Sequence, residues 1–140
     1  MNGMLVTSHG DLCTGMVNSL EMIAGGNDAL HCLKLDDNGI GNYSKRLHSE
    51  LDEMTEKYDG VIIFSDIKGG TPYNECFRYI LEKKANIRLI AGMNLPMIIE
   101  ASLALSNTDD LESLVNLAIE SGKNSIEELI ISKDDNDLDI

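Results

Sequence analysis

The strongest constraint on this chain is the regular alternation of short apolar runs with amphipathic helical stretches. Met4-Leu5-Val6-Thr7 reads as a first strand. Leu12 to Ala24 then places Leu12, Met16, Leu20 and Ile23 on one helical stripe, which Gly25-Gly26 ends. Ala29 to Leu35 is expected as a second strand, weakened by His31 and Lys34, before the turn cluster Asp36-Asp37-Asn38-Gly39. Tyr43 to Lys57 carries Leu47, Leu51 and Met54 at helical spacing. Val61-Ile62-Ile63-Phe64 is apolar at every position, the pattern of a parallel strand covered on both faces. Thr71 and Pro72 supply an N-cap and a first-turn proline for a third helix.

Ile87 to Ala91 is a fourth strand. Asn94 caps a helix from Pro96 to Leu105, and Asp109 or Asp110 caps a last helix that Gly122 stops. Ile126 to Ser132 holds Leu129-Ile130-Ile131, a candidate for a short fifth strand. Such alternation implies an α/β fold with a mainly parallel sheet and helices on both faces. Right-handed crossovers leave few topologies, and the order 2-1-3-4 suits so short a chain. The 140 residues make one domain, expected over 1–132, followed by an acidic tail over 133–140 that is expected to fray.

In an open parallel sheet, ligands bind at the carboxyl ends of the strands where the strand order reverses. Here that crevice falls between strands one and three. Thr7-Ser8-His9-Gly10 follows the first, and Ser65-Asp66-Ile67-Lys68-Gly69-Gly70-Thr71-Pro72 follows the third. His9 and Asp66 are therefore expected to face each other. A carboxylate that accepts from one ring nitrogen fixes the tautomer and leaves the other nitrogen as a nucleophile. Gly69 and Gly70 allow close approach of backbone to ligand, and Thr71 opens a helix whose free N–H groups suit phosphate. Taken singly, each of these residues has a plain structural use as a turn former, a cap or a surface side chain; only their convergence points to a site.

The other histidines, His31 and His48, have no candidate partner nearby in sequence and are assigned to structure or surface. Cys13, Cys32 and Cys76 are odd in number and widely spaced, so neither a disulfide framework nor a Cys-x-x-Cys metal or redox pair is indicated. No metal or cofactor is called for. A reducing cytoplasm is the expected location, since no signal peptide or membrane-spanning run is evident. The formal net charge of -13 argues against nucleic acid and anionic membrane as partners, both of which need a basic footprint.

Four stretches together resemble the IIA domain of the mannose class of sugar phosphotransferase systems. They are Ser8-His9-Gly10, Asn18 to Gly25, Asp66 to Asn74, and Gly92-Met93-Asn94-Leu95-Pro96-Met97. The likeness runs from Met4 to about Gly122. The resemblance implies that His9 takes a phosphoryl group from phosphorylated HPr and passes it to a IIB component, and through it to the membrane IIC and IID components. It implies that Asp66 orients His9, that Thr71 lies beside the phosphate with Gly69 and Gly70, and that Asn94 forms a wall of the pocket. It further implies a homodimer that exchanges an antiparallel last strand. Asp11-Leu12-Cys13-Thr14 departs from the family's usual aromatic residue followed by Ala.

Rival readings are separable on the residues. A receiver domain needs an acidic pair after strand one to hold magnesium, and Ser8-His9 stands there. A phosphohistidine phosphatase or mutase needs an arginine clamp, but Arg46, Arg78 and Arg88 are expected away from the crevice. A non-catalytic binding or regulatory module would use His9 only as a ligand contact. The phosphocarrier subunit of a dihydroxyacetone kinase shares the His9 chemistry and differs in its final acceptor.

Overall fold

The computed structural model describes residues 1–134. The tail expected over 133–140 lies outside the described residues beyond Asp134. Four parallel strands form one sheet: β1 (Gly3–His9), β2 (Leu30–Leu35), β3 (Val61–Ser65) and β4 (Ile87–Ile90). Their order is β2-β1-β3-β4, as expected. Five helices complete the described chain: α1 (Leu12–Ala24), α2 (Ile40–Lys57), α3 (Thr71–Lys83), α4 (Leu95–Ala104) and α5 (Leu111–Asn124). Helices α1, α4 and α5 pack together on one face of the sheet, and α2 and α3 on the other.

Coverage on both faces explains the apolar runs. All five residues of β3 are buried, as are the first six of β1. Each large aliphatic side chain taken wholly from water contributes roughly 1.5–3 kcal/mol, so these two central strands anchor the core. In α2 the buried residues Tyr43, Leu47, Leu51 and Met54 fall at steps of three and four, the stripe the sequence displays. Tyr43 also shares a buried hydrogen bond of 2.6 Å with Thr7 on β1, which satisfies both hydroxyls inside the core.

Several boundaries depart from expectation. β1 continues past Thr7 to His9, because its last two residues still pair with Lys34 and Leu35 of β2. α2 begins at Ile40 rather than Tyr43, directly after Gly39 in the left-handed region at φ 92°. Gly122 does not stop α5, which runs to Asn124. It is buried inside the helix, where a Cβ would stand 2.6 Å from Cε of Met97 on α4, so its missing side chain admits the neighbouring helix. Residues 126–132 form no strand within this chain, and Leu129, Ile130 and Ile131 are exposed. A strand needs a neighbour to supply its hydrogen bonds, and this segment pairs with none of the described strands.

Close packing at the start of β1 gives a direct test. A Cβ added to Gly3 would lie 2.4 Å from Cδ2 and 2.7 Å from Cε2 of Tyr58. That ring is held by a hydrogen bond between its hydroxyl and Nε2 of His31 at 2.9 Å. Gly3→Ala is therefore expected to destabilise the fold by roughly 1–3 kcal/mol, the usual cost of overpacking. The midpoint of denaturant unfolding, with the slope unchanged, measures it.

Candidate active site at the carboxyl ends of β1 and β3

The register of β1 on β3 sets Thr7 against Ser65. The chain leaves both strands one or two residues later, so His9 and Asp66 emerge side by side at the reversal of strand order. Oδ2 of Asp66 accepts two hydrogen bonds from His9, one from its backbone N–H at 2.9 Å and one from ring Nδ1 at 2.7 Å. Oδ1 accepts from the backbone N–H of Ile67 at 2.9 Å. A carboxylate only accepts, which assigns the proton to Nδ1 and leaves the lone pair on Nε2. The Asp66 side chain is 11% exposed and that of His9 is 49% exposed, so the orienting group is shielded while the ring reaches solvent.

Burial pushes the Asp66 carboxyl upward, but its hydrogen bonds from the His9 backbone, the His9 ring and Ile67 outweigh that and leave it below the ordinary carboxylate range. Asp66 therefore stays ionised. A carboxyl held low in the folded state contributes stability that is present above its unfolded value and lost as pH falls through the folded one.

The loop that carries His9 is held from both sides. Ser8 is buried, and its Oγ accepts from the backbone N–H of Cys13 at 2.8 Å while donating to the carbonyl of Gly10 at 3.1 Å. Ser8 thereby caps the first turn of α1, a task that Asp11 at the N-cap position leaves undone. The backbone N–H of Gly10 donates to the carbonyl of Leu35 at 2.7 Å, and Gly10 has φ 56°. In the sequence Ser8 stands out only as part of the Ser8-His9-Gly10 motif. The signal was there, since a Ser shortly before an apolar helical stripe is a standard cap.

Gly69, Gly70 and Thr71 lead from Asp66 into α3. Gly69 sits at φ 82°, in the left-handed region. Gly70, not Thr71, occupies the N-cap position, and Thr71 and Pro72 form the first turn. A Cβ on Gly70 would fall 2.7 Å from Cε1 of His9 and 2.9 Å from Cγ2 of Ile67. Gly70 thus leaves room for the imidazole, and the amino end of α3 lies against the ring edge. The first N–H groups of a helix lack intrahelical partners and favour anions.

Asn94 sits at the amino end of α4 and shares a cleft with Lys68 and Tyr73. Its Oδ1 caps α4 through the N–H of Met97 at 3.1 Å, and its Nδ2 donates to the carbonyl of Gly122 at 3.0 Å. Both ends of the amide are thus occupied in joining α4 to α5, and Asn94 lines a cleft beside β4 rather than touching His9. His31 has partners that only the fold supplies: Nδ1 meets Oε1 of Glu50 at 2.6 Å and Nε2 meets the Tyr58 hydroxyl. His48 packs edge-on against Tyr79 with ring centroids 5.3 Å apart. A larger cleft of about 630 Å³ opens at the far end of the sheet, lined by Asp52, Glu56 and Asp59 among others. Its acidic walls disfavour phosphate.

Residues 3–119 match the EIIA-man family, described as the PTS system fructose IIA component. The chain is 31% identical over 117 residues to the fructose-specific EIIA component of Bacillus subtilis, covering 83% of this chain and 78% of that protein. It is 27% identical over 128 residues to the mannose-specific EIIAB component of Escherichia coli, covering 89% of this chain but spanning only 38% of that longer relative. Among solved structures it resembles phosphotransferase system component EIIA from Streptococcus agalactiae, with a TM-score of 0.81 at 25% identity and coverage of 91% and 97% of the two chains. The mannose/sorbose-specific IIA subunit from Enterococcus faecalis gives a TM-score of 0.76 at 25% identity, covering 94% of this chain and 97% of that one. With residues 3–119 matching the family and its fold and most of its length in common with these relatives, the chain belongs to the EIIA-man family of phosphotransferase system IIA components.

Proposed function

We propose that this IIA component is a cytoplasmic phosphocarrier that accepts a phosphoryl group from phosphorylated HPr on Nε2 of His9 and passes it to a IIB component for sugar uptake. The observation that carries this reading is the 2.7 Å contact between Nδ1 of His9 and Oδ2 of Asp66 on a half-exposed ring. Nε2 attacks phosphorus as the bond to the donor nitrogen breaks, and the ring gains positive charge. Ionised Asp66 stabilises that charge without moving. The amino end of α3, with Gly69, Gly70 and Thr71, receives the oxygens of the transferring group, where positioning and electrostatics supply most of the catalysis. No cofactor or metal enters this scheme, and no described helix is long and apolar enough to cross a membrane. The membrane IIC and IID components therefore act through IIB.

A second copy of the chain fits the free edge of β4. Among the described residues that edge is unpaired, a cleft of about 550 Å³ lined by Lys68, Tyr73, Arg88 and Ile126 runs beside it, and Leu129, Ile130 and Ile131 are exposed a few residues further along. An exposed edge and an exposed apolar strand candidate in one chain complete each other across a two-fold axis. This reading takes up the exchanged strand that the resemblance implies.

Three outcomes follow for measurement. In the presence of enzyme I, HPr and phosphoenolpyruvate, His9→Ala should lose phosphoryl acceptance entirely, while His31→Ala and His48→Ala retain it. Acceptance by His9→Ala at the wild-type level would overturn the assignment, and the wild-type phosphoprotein should discharge to a IIB protein without nucleotide.

Gly70→Ala and Asp66→Asn should both fold, yet transfer phosphate at least about tenfold more slowly. The first displaces the ring, and the second removes the charge that steadies the imidazolium, effects for which losses of ~10²-fold are usual. Stopped-flow or quench kinetics read both, and unchanged rates would remove those residues from the mechanism.

Sedimentation of the intact chain at micromolar concentration should show a dimer, and truncation after Ser125 should shift it to monomer. A monomer for the intact chain contradicts the exchanged strand.

A further inference from the structure

The cleft beside β4 carries a charge that the rest of the chain does not share. Acidic residues outnumber basic ones 24 to 11 in the sequence, yet none lines this cleft, whereas Lys68, Arg88 and Lys123 all do. Among the described residues none of these three takes part in an ion pair. The cations straddle the edge of the sheet. Lys123 lies in the last turn of α5, which covers one face, and Lys68 lies in the loop that enters α3, which covers the other. Both stand toward the carboxyl end of β4. Lys68 follows β3 at that end, and Lys123 adjoins Gly122, whose carbonyl holds Asn94 just beyond β4. Arg88 is the second residue of β4, nearer its amino end. Between the cations the lining is apolar, with Leu89, Val115 and Ile119. The half-exposed Phe77 of α3 continues that surface, stacked on Tyr73 with ring centroids 6.4 Å apart.

The segment after α5 carries the complementary order. Glu127-Glu128 come first, Leu129-Ile130-Ile131 follow, and Asp134 comes after Ser132 and Lys133. Both glutamates are exposed, and neither takes part in an ion pair among the described residues. Consecutive side chains of an extended strand point to opposite faces of its sheet. Laid along the edge of β4, two consecutive glutamates therefore address both faces, where one lysine each waits. An antiparallel course sets the glutamates at the carboxyl end of β4 beside Lys68 and Lys123. The apolar triplet then covers the apolar lining, and Asp134 comes toward the Arg88 end. A parallel course would instead bring Lys133 up to Lys68 and Lys123, and like charges set opposite one another destabilise a strand pair.

We propose that Glu127 and Glu128 of a second copy pair with Lys68 and Lys123, which locks the exchanged segment in place along β4 and borders the His9 site with the other chain. The pairing rests on the dimer reading of this edge and adds to it the charges that set direction and register. Such charges at the margin of an apolar contact fix orientation more than they raise affinity. Lys68 lies two residues after Asp66 and directly before Gly69. A carboxylate held by Lys68 thus adjoins the loop that sets Gly70 against the His9 ring. By two-fold symmetry each copy gives its glutamates to the other, so both sites are bordered alike.

Full-length chains in light and isotope-heavy form, refolded together and shown by native mass spectrometry to form mixed dimers, are treated with a carbodiimide that joins touching amines and carboxylates. Digestion should yield peptides that join Lys68 or Lys123 to Glu127 or Glu128, light–heavy pairs among them. Light–light and heavy–heavy peptides alone would put the segment back on its own chain and overturn the exchange of glutamates. A dimer that yields no such peptide would overturn the pairing. In sedimentation, Glu127→Lys with Glu128→Lys should raise the dimer dissociation constant at least about tenfold at ~0.1 M salt, because like charges then face each other. Adding Lys68→Glu and Lys123→Glu should bring the constant back toward that of the unaltered chain, a rescue that no general loss of packing would show. A constant unmoved by the first pair of changes, or not recovered by the second, would also overturn the pairing. A monomer for the unaltered chain would overturn the dimer reading itself, so the unaltered protein tells the two failures apart.

Discussion

A single oxygen, Oδ2 of Asp66, accepts both the backbone N–H and the ring Nδ1–H of His9, and the site is organised around that double contact. It joins the ends of β1 and β3 across the point where the strand order reverses. The backbone bond fixes where the residue sits, and the ring bond fixes how the imidazole turns and which nitrogen stays free. Each depends on the β1–β3 register, because a slip of one residue would turn His9 to the opposite face of the sheet. That register rests in turn on the buried apolar faces of the two strands.

The arrangement pairs a shielded orienting group with a reachable nucleophile. Asp66 is mostly removed from solvent yet remains ionised, because three N–H donors satisfy it and outweigh the penalty of burial. His9 is half exposed, which the proposed exchange with two protein partners requires. Gly70 makes the two requirements compatible: without a side chain it lets the start of α3 come against the ring, so an anion-favouring helix end and a nucleophile share one place. Ser8 and Gly10 hold the opposite side of the loop through α1 and β2, which ties the position of the ring to the packing of both elements.

Much of this was legible before any coordinates. The all-apolar run Val61 to Phe64 and the alternation around it specify a parallel sheet, and order 2-1-3-4 then aims His9 and Asp66 at each other. Where the structure departs from local pattern, neighbours override a residue's local role. Gly122 looks like a helix stop and is instead the point where Met97 of α4 packs closely. Thr71 looks like a cap, but the backbone already turns at Gly70. Asn94 caps α4 as its sequence position suggests, and its amide also joins α4 to α5, a contact no local pattern shows. The segment 126–132 has strand composition and no strand beside it within one chain.

The sequence by itself determined the class of fold and the meeting of His9 with Asp66 at the reversal of strand order. Hydrophobic periodicity is a local property, and the crevice rule converts the order of strands into a location. Tertiary structure alone decided which distant side chains meet: Glu50 and Tyr58 on His31, and Gly70 against the His9 ring. Those contacts depend on how helices settle on the sheet to within an ångström. Close packing fixes that through the summed shapes of many side chains, which no short stretch of sequence contains.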